Sequence, residues 1–175
     1  MTVRIHLVRA INVGGAQLPM AELRELATGL GASDVSTYIA SGNLLATPPG
    51  DPATFDRALE RAIEERFGFF REVVSRDRDE VQAALEAHPF EVVEAKLSYV
   101  YFLLDAPSDE QARAFEATEH GGGEEVRVIG RDLHIRYPDG VAGSKLTPAK
   151  IKKALGHHGT GRNLLTVAKL TELAS

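Results

Sequence analysis

The 175-residue chain contains no cysteine. That excludes disulfides, thiolate nucleophiles and cysteine-ligated metals, and it fits an expected cytoplasmic location. No run of eighteen apolar residues occurs either, so no membrane-spanning helix and no membrane partner are expected. The opening MTVRIHLVRAINVGG lacks a long apolar stretch and a small-residue cleavage pattern, and no signal peptide is read there. The phosphate-loop patterns are missing: neither G-x-G-x-x-G nor G-x-x-x-x-G-K-[ST] is present, and GVAGSK at 140–145 has the wrong order and spacing. Ser41 and Ser144 are flanked by glycine without forming a G-x-S-x-G elbow. Glu64–Glu65 and Glu124–Glu125 are chain neighbours whose side chains point apart, which makes them poor acid/base pairs. His157–His158 has no third ligand at metal spacing and reads as a surface loop, so no metal is expected. The sequence therefore names no cofactor and no nucleophile with an evident base, and leaves open whether any reaction is catalysed.

What is present suits one compact domain or two small joined halves: 43% of residues are apolar. The net charge of −5 hides an asymmetry. Residues 141–175 carry Lys145, Lys150, Lys152, Lys153, Arg162 and Lys169 against Glu172, a balance of +5, which leaves −10 on the first 140 residues. A basic end on an acidic body points either to a local anion contact or to an exposed helix face docking on the acidic part. The acidic total and the lack of basic stretches interleaved with aromatics disfavour nucleic acid as a partner.

Periodicity predicts an α+β fold. Residues 3–8 read as a strand. Pro19 opens a helix with Leu23, Leu26, Ala27 and Leu30 on one stripe and Gly31 as its stop. VSTYI, SGN and LLAT read as strand, turn and strand. Asp51–Pro52 begins a second helix with Phe55, Leu59, Ile63 and Phe67 on its stripe, ending at Gly68, and FFREVVS gives a fourth strand. This β-α-β-β-α-β order over residues 1–76 is the ferredoxin-like unit. Residues 77–175 begin with a helix ending at His88–Pro89 and repeat the theme. KLSYVYFLL is a buried strand, Ser108 and Gln111 form a capping box, EEVRVIG pairs with LHIRY, and Thr147–Pro148 starts a basic helix that ends at Gly156. A helix from about Asn163 to Ala174 is expected in place of a last strand, giving a second βαββα half with C-terminal helices. HPFEVVEAK at 88–96 reads as the junction, and HGGG at 120–123 as a flexible loop.

In such a unit the first two strands run parallel, so the loops that follow them emerge at one end of the sheet. RAINVGG and SGN are therefore expected to meet. Gly14 and Gly15 either expose peptide N–H groups to a small anionic ligand, such as a nucleotide or phosphorylated metabolite, or merely turn the chain. Arg9, Asn12, Ser41, Gly42 and Asn43 would line the same cleft, although Asn12 alternatively only caps its own backbone. His6 alternates with Ile5 and Leu7 and reads as a structural strand histidine. The rival to ligand binding is a non-catalytic interaction or dimerisation domain, and the chain is expected to be a monomer or homodimer.

LVRAINVGGAQLPMAELRELATGLGASDVSTYIASGN resembles the N-terminal signature of the bacterial domain of unknown function 1697 family, and RDLHIRYPDGVAGSKLT with TGRNLLTVAKL resembles its C-terminal part. The resemblance spans nearly the whole chain and implies the fold, with no established activity attached. It makes Lys145, Arg162, Asn163 and Thr166 further site candidates. Against that, Thr160 or Asn163 would simply cap the last helix, and Arg162 would simply pair with an acidic residue. Two positions depart from the family pattern: Ala10 stands where glycine is usual, and Leu164 where tryptophan is frequent, which removes a surface for ring stacking.

Overall fold

The computed structural model describes residues 2–175. The chain divides into two compact units, Met1–Val81 with Lys169–Ser175, and Gln82–Ala168. Each contains a four-stranded antiparallel sheet with helices, so the fold is α+β in two similar halves.

In the first unit the elements are β1 (Arg4–Val8), α1 (Met20–Gly29), β2 (Ser33–Tyr38), β3 (Asn43–Thr47), α2 (Pro52–Phe67) and β4 (Val73–Asp77). The strands lie in the order β2-β3-β1-β4. β3 is antiparallel to both β1 and β2, so β1 and β2 run parallel with β3 between them. Local chemistry sets the boundaries. Asp51 accepts from the Thr54 N–H to cap α2, Pro52 occupies its first turn, and Gly68 ends it at φ 79°. Leu23, Ala27, Phe55, Leu59 and Ile63 are buried together against Val8, Leu44, Ala46 and Val73, with Leu26 partly buried beside them. Both helices thus cover one face of the sheet. The fourth strand begins at Val73, four residues later than the FFREVVS stretch suggests, because Phe69–Glu72 forms the loop that follows the αL residue Gly68.

The second unit contains most of α3 (Arg78–Ala87), then β5 (Ser98–Leu103), α4 (Asp109–Ala117), β6 (Glu125–Ile129), β7 (Asp132–Arg136), α5 (Pro148–Leu155) and β8 (Gly159–Asn163). Its strand order, β6-β7-β5-β8, repeats the second-third-first-fourth arrangement of the first sheet. Ser108 and Gln111 form the reciprocal capping box of α4, and Thr147 caps α5 through the Lys150 N–H. The core of this half gathers Tyr101, Leu103, Phe115, Leu133, Ile135, Ile151 and Leu155.

One expectation is corrected here. The second half does have a fourth strand, β8, before the C-terminal helix α6 (Leu164–Leu173). GTGRN has none of the β-branched-aromatic alternation that announces a strand. Its glycines answer to packing instead. A Cβ on Gly159 would lie 2.6 Å from the Phe102 carbonyl oxygen and 2.7 Å from the Tyr101 ring, and one on Gly161 would lie 3.1 Å from that ring. Only glycine lets β8 lie flat across the aromatic face of β5.

Candidate functional site

The two glycine turns of the first unit meet. The Val8 N–H donates to the Gly42 carbonyl at 2.9 Å, and Asn12 Nδ2 donates to the Ala40 carbonyl at 2.7 Å. A third loop joins them, since Arg71 Nε donates to the Ala10 carbonyl at 3.2 Å. The ends of β1 and β2 and the starts of β3 and β4 therefore share one stitched cluster at a single end of the sheet.

Within that cluster the polar candidates are held by the protein itself. Asn12 uses its whole amide: Nδ2 donates to Leu18 O at 2.9 Å and to Ala40 O, while Oδ1 accepts from the Leu18 N–H at 2.8 Å. Its own N–H donates to Ala16 O at 2.7 Å, which closes the loop on itself. Arg9 Nε pairs with Glu72 Oε1 at 2.9 Å. Asn43 is fully buried and donates from Nδ2 to Tyr38 O and to Ser41 Oγ, each at 3.0 Å. Gly42 has φ 87°, and a Cβ there would lie 2.9 Å from the Val8 carbonyl oxygen and 3.0 Å from Ile11 Cδ1. Gly14 also has φ 87°, yet a Cβ on it or on Gly15 would meet nothing within 4 Å.

The backbone of the cluster is strained at ordinary residues. Ala10 (φ 50°), Asn12 (φ 58°) and Ile39 (φ 49°) all adopt the left-handed conformation. Asparagine tolerates it; a β-branched isoleucine does so only when the surroundings hold it there. The departure from the family pattern at Ala10 comes at a cost in strain, because φ 50° suits glycine and not alanine. Ala10→Gly is expected to stabilise the protein by about 0.5 kcal/mol, measured by denaturant melt, as the relieved strain outweighs the added freedom of the unfolded chain.

Three apolar side chains stand out from the same loops: Val13, Ile39 and Phe70, at 72%, 52% and 46% exposure. Sequence reasoning missed them because Ile39 and Phe70 read as members of the strands VSTYI and FFREVVS and Val13 as part of a glycine turn, and only the topology places the three at one end. The guanidinium of Arg71 lies 5.4 Å from the centre of the neighbouring Phe69 ring.

The interior below holds a histidine, an aspartate and a serine in an order that does not make a nucleophile. His6 Nδ1 pairs with Asp56 Oδ1 at 2.8 Å, and Ser75 Oγ donates to Asp56 Oδ2 at 2.5 Å. The carboxylate sits between the other two, so no imidazole takes the serine proton, and His6 is closed to solvent. Nearby, burial pushes the Glu60 carboxyl above its ordinary range, against the Val73 N–H that it accepts at 2.8 Å.

The remaining candidates lie in the second unit. Arg162, on β8, is only 7% exposed, and one guanidinium nitrogen donates to Thr160 Oγ1 at 2.7 Å and to Gly161 O at 2.9 Å. Burial pulls its pKa down to about 10. Asn163 caps α6, its Oδ1 accepting from the Thr166 N–H at 3.0 Å. Thr166 itself is buried. Lys145 is exposed on a loop, lining a cavity of about 160 Å³ with Glu124, Asp139 and Ser144. No hydrogen bond or ion pair among the described residues joins Lys145 to Arg162 or Asn163. Arg162 is held by bonds within its own strand, and Asn163 caps the helix that follows.

Among the described residues no three histidine, cysteine or acidic side chains are grouped to hold a metal, and no helix is long and apolar enough to cross a membrane. A search of curated proteins gives no match. Among solved structures the chain is similar to conserved bacterial protein SP0830 from Streptococcus pneumoniae, at 25% identity and a TM-score of 0.76, over 99% of this chain and 98% of that one. The family model for the protein of unknown function DUF1697 matches residues 1–134. That match covers the stitched turns, both glycine motifs, β5, β6 and the start of β7, and the chain belongs to the DUF1697 family.

Proposed function

We propose that this is a non-catalytic interaction protein that docks through the turn-bearing end of its first unit onto a second copy of itself. The observation that carries the reading is the contrast between polar and apolar groups in the stitched loops. Arg9, Asn12 and Asn43 are engaged internally, while Val13, Ile39 and Phe70 are left to solvent on a backbone held in strain. Exposed apolar groups gathered at one end of a sheet favour association there. Arg9 and Glu72 neutralise each other at this end, and Arg71, which keeps its charge, lies against Phe69 with its guanidinium donating to the Ala10 and Phe70 carbonyls.

Sedimentation velocity of the full chain checks the proposal. The wild type is expected at about twice its 18.9 kDa mass, and a Val13→Asp/Phe70→Asp variant at the monomer mass with an unchanged melt. A wild type that stays monomeric at tens of micromolar overturns self-association. An anionic ligand could still meet the peptide groups of Gly14 and Gly15, where even an added Cβ would touch nothing within 4 Å. Amide shifts confined to those two residues on adding inorganic phosphate would favour that reading instead.

A further inference from the structure

The basic character of the C-terminal region finds an outlet away from Lys145 and Arg162. Between α4 and α5, within the second unit, lies a cavity of about 280 Å³. Its apolar wall comes from Ala114 and Phe115 on α4 and Ala154 on α5. Its charged and titratable groups are of one kind: Lys150 and His120 line it, and no carboxylate does, on a chain with 25 acidic residues. Lys150 is exposed, and no ion pair or side-chain hydrogen bond among the described residues engages its ammonium. The His120 ring packs on Phe115 at 4.6 Å, and its Nε2 must be the donor to the Phe115 carbonyl at 3.2 Å, because a carbonyl can only accept. That fixes the tautomer and leaves Nδ1 as the ring's second polar atom. Thr118 donates its hydroxyl to Ala114 O at 2.8 Å and keeps oxygen lone pairs only.

From this arrangement we infer that the α4–α5 cavity binds a small organic monocarboxylate, its apolar body against Phe115, Ala114 and Ala154 and its carboxylate on Lys150. The volume falls just under the span of about 300–1,000 Å³ typical of drug-sized ligands, which suits a fragment-sized molecule. A concave apolar site with few polar groups selects by charge at its rim, and here the rim charge is positive. A carboxylate meets the ammonium in a charge-assisted bond that an alcohol of the same shape makes only weakly and an amine not at all. The inference stands apart from the self-association proposed for the first unit, since no residue is shared.

The test uses 3-phenylpropionate, 3-phenylpropanol and 3-phenylpropylamine as matched probes, titrated into the full-length protein while the backbone amide shifts of α4 and α5 are followed. The carboxylate is expected to give saturable shifts at Ala114, Phe115, Thr118 and Ala154, with affinity at least tenfold above that of either isostere. Lys150→Gln should bring the carboxylate down to the level of the alcohol, and because Lys150 is exposed the variant keeps its fold. Ala154→Leu, which fills the cavity, should abolish the shifts from all three probes. Equal affinity for carboxylate and alcohol, an unaltered Lys150→Gln variant, or shifts absent from both helices would each overturn the inference.

Discussion

Gly42→Ala is expected to destabilise the protein by roughly 3 kcal/mol or more, while Gly15→Ala changes almost nothing. The difference comes from two separate penalties at Gly42. Its φ of 87° lies at the edge of the left-handed region, which an L-residue adopts only at a cost. The new Cβ would also press on the Val8 carbonyl oxygen at 2.9 Å, and that oxygen has little room to yield, because the Arg9 N–H of the same peptide is tied to the Glu72 carbonyl at 3.0 Å. Ile11, buried on the other side, closes the remaining escape at 3.0 Å. Gly14 carries only the first penalty and should cost about 1 kcal/mol, and Gly15 carries neither. Denaturant melts of the three alanine variants, each read as a midpoint at constant slope, give the order directly. If Gly15→Ala proved as costly as Gly42→Ala, the loop would be held by contacts other than those between the two turns.

Acid is expected to remove about 2–3 kcal/mol of stability between pH 7.5 and pH 4.5 through His134 alone. His134 lies on β7 with no solvent exposure, and its Nδ1 faces His88 Nδ1 at 3.0 Å. One of those nitrogens donates and the other accepts. Protonating either ring sets two donors face to face, and in neither residue does Nε2 have a protein partner. Burial first, and then the charge of His88, bring the His134 pKa down from 6.5 to about 4. Burial lowers His88 in the same direction. The folded state thus binds fewer protons than the unfolded chain between those two values. Stability is full above about pH 6.5, falls as pH drops toward 4, and levels off below that for this group. Chemical melts of the wild type and of His134→Gln across this range isolate the effect from the carboxylates, because the variant should lack that part of the slope. Parallel slopes for the two proteins would place a charged His134 in the folded state.

The fold was largely legible because its signals are local. Proline at the first turn of α2 and of α5, glycine just past their ends, and the Ser108–Gln111 box mark helix ends through backbone groups within four residues. The meeting of the turns followed from strand direction alone. β8 was not legible, because Gly159 and Gly161 exist to clear Tyr101, some sixty residues earlier, and their sequence context carries no trace of that ring. The candidate site was half legible. Asn12 stood out as a turn residue, but whether its amide faced a ligand or Leu18 and Ala40 depended on a contact 28 residues away. Arg162 reads as an anion ligand by type, and its bonds to Thr160 and the Gly161 carbonyl depend on the burial of β8, which the sequence around it does not announce. Val13, Ile39 and Phe70 are unremarkable one at a time and gain meaning only where three loops converge.

The surface proposed for self-association is read most directly by amide hydrogen exchange of the wild-type chain at low and at high concentration. Residues 12–15, 39–42 and 69–72 should exchange more slowly in the concentrated sample, as burial against a second copy adds to the protection of the stitched loops. Protection that rises with concentration elsewhere but not in these three loops, or exchange that is the same at both concentrations, would contradict an association surface at this end of the sheet.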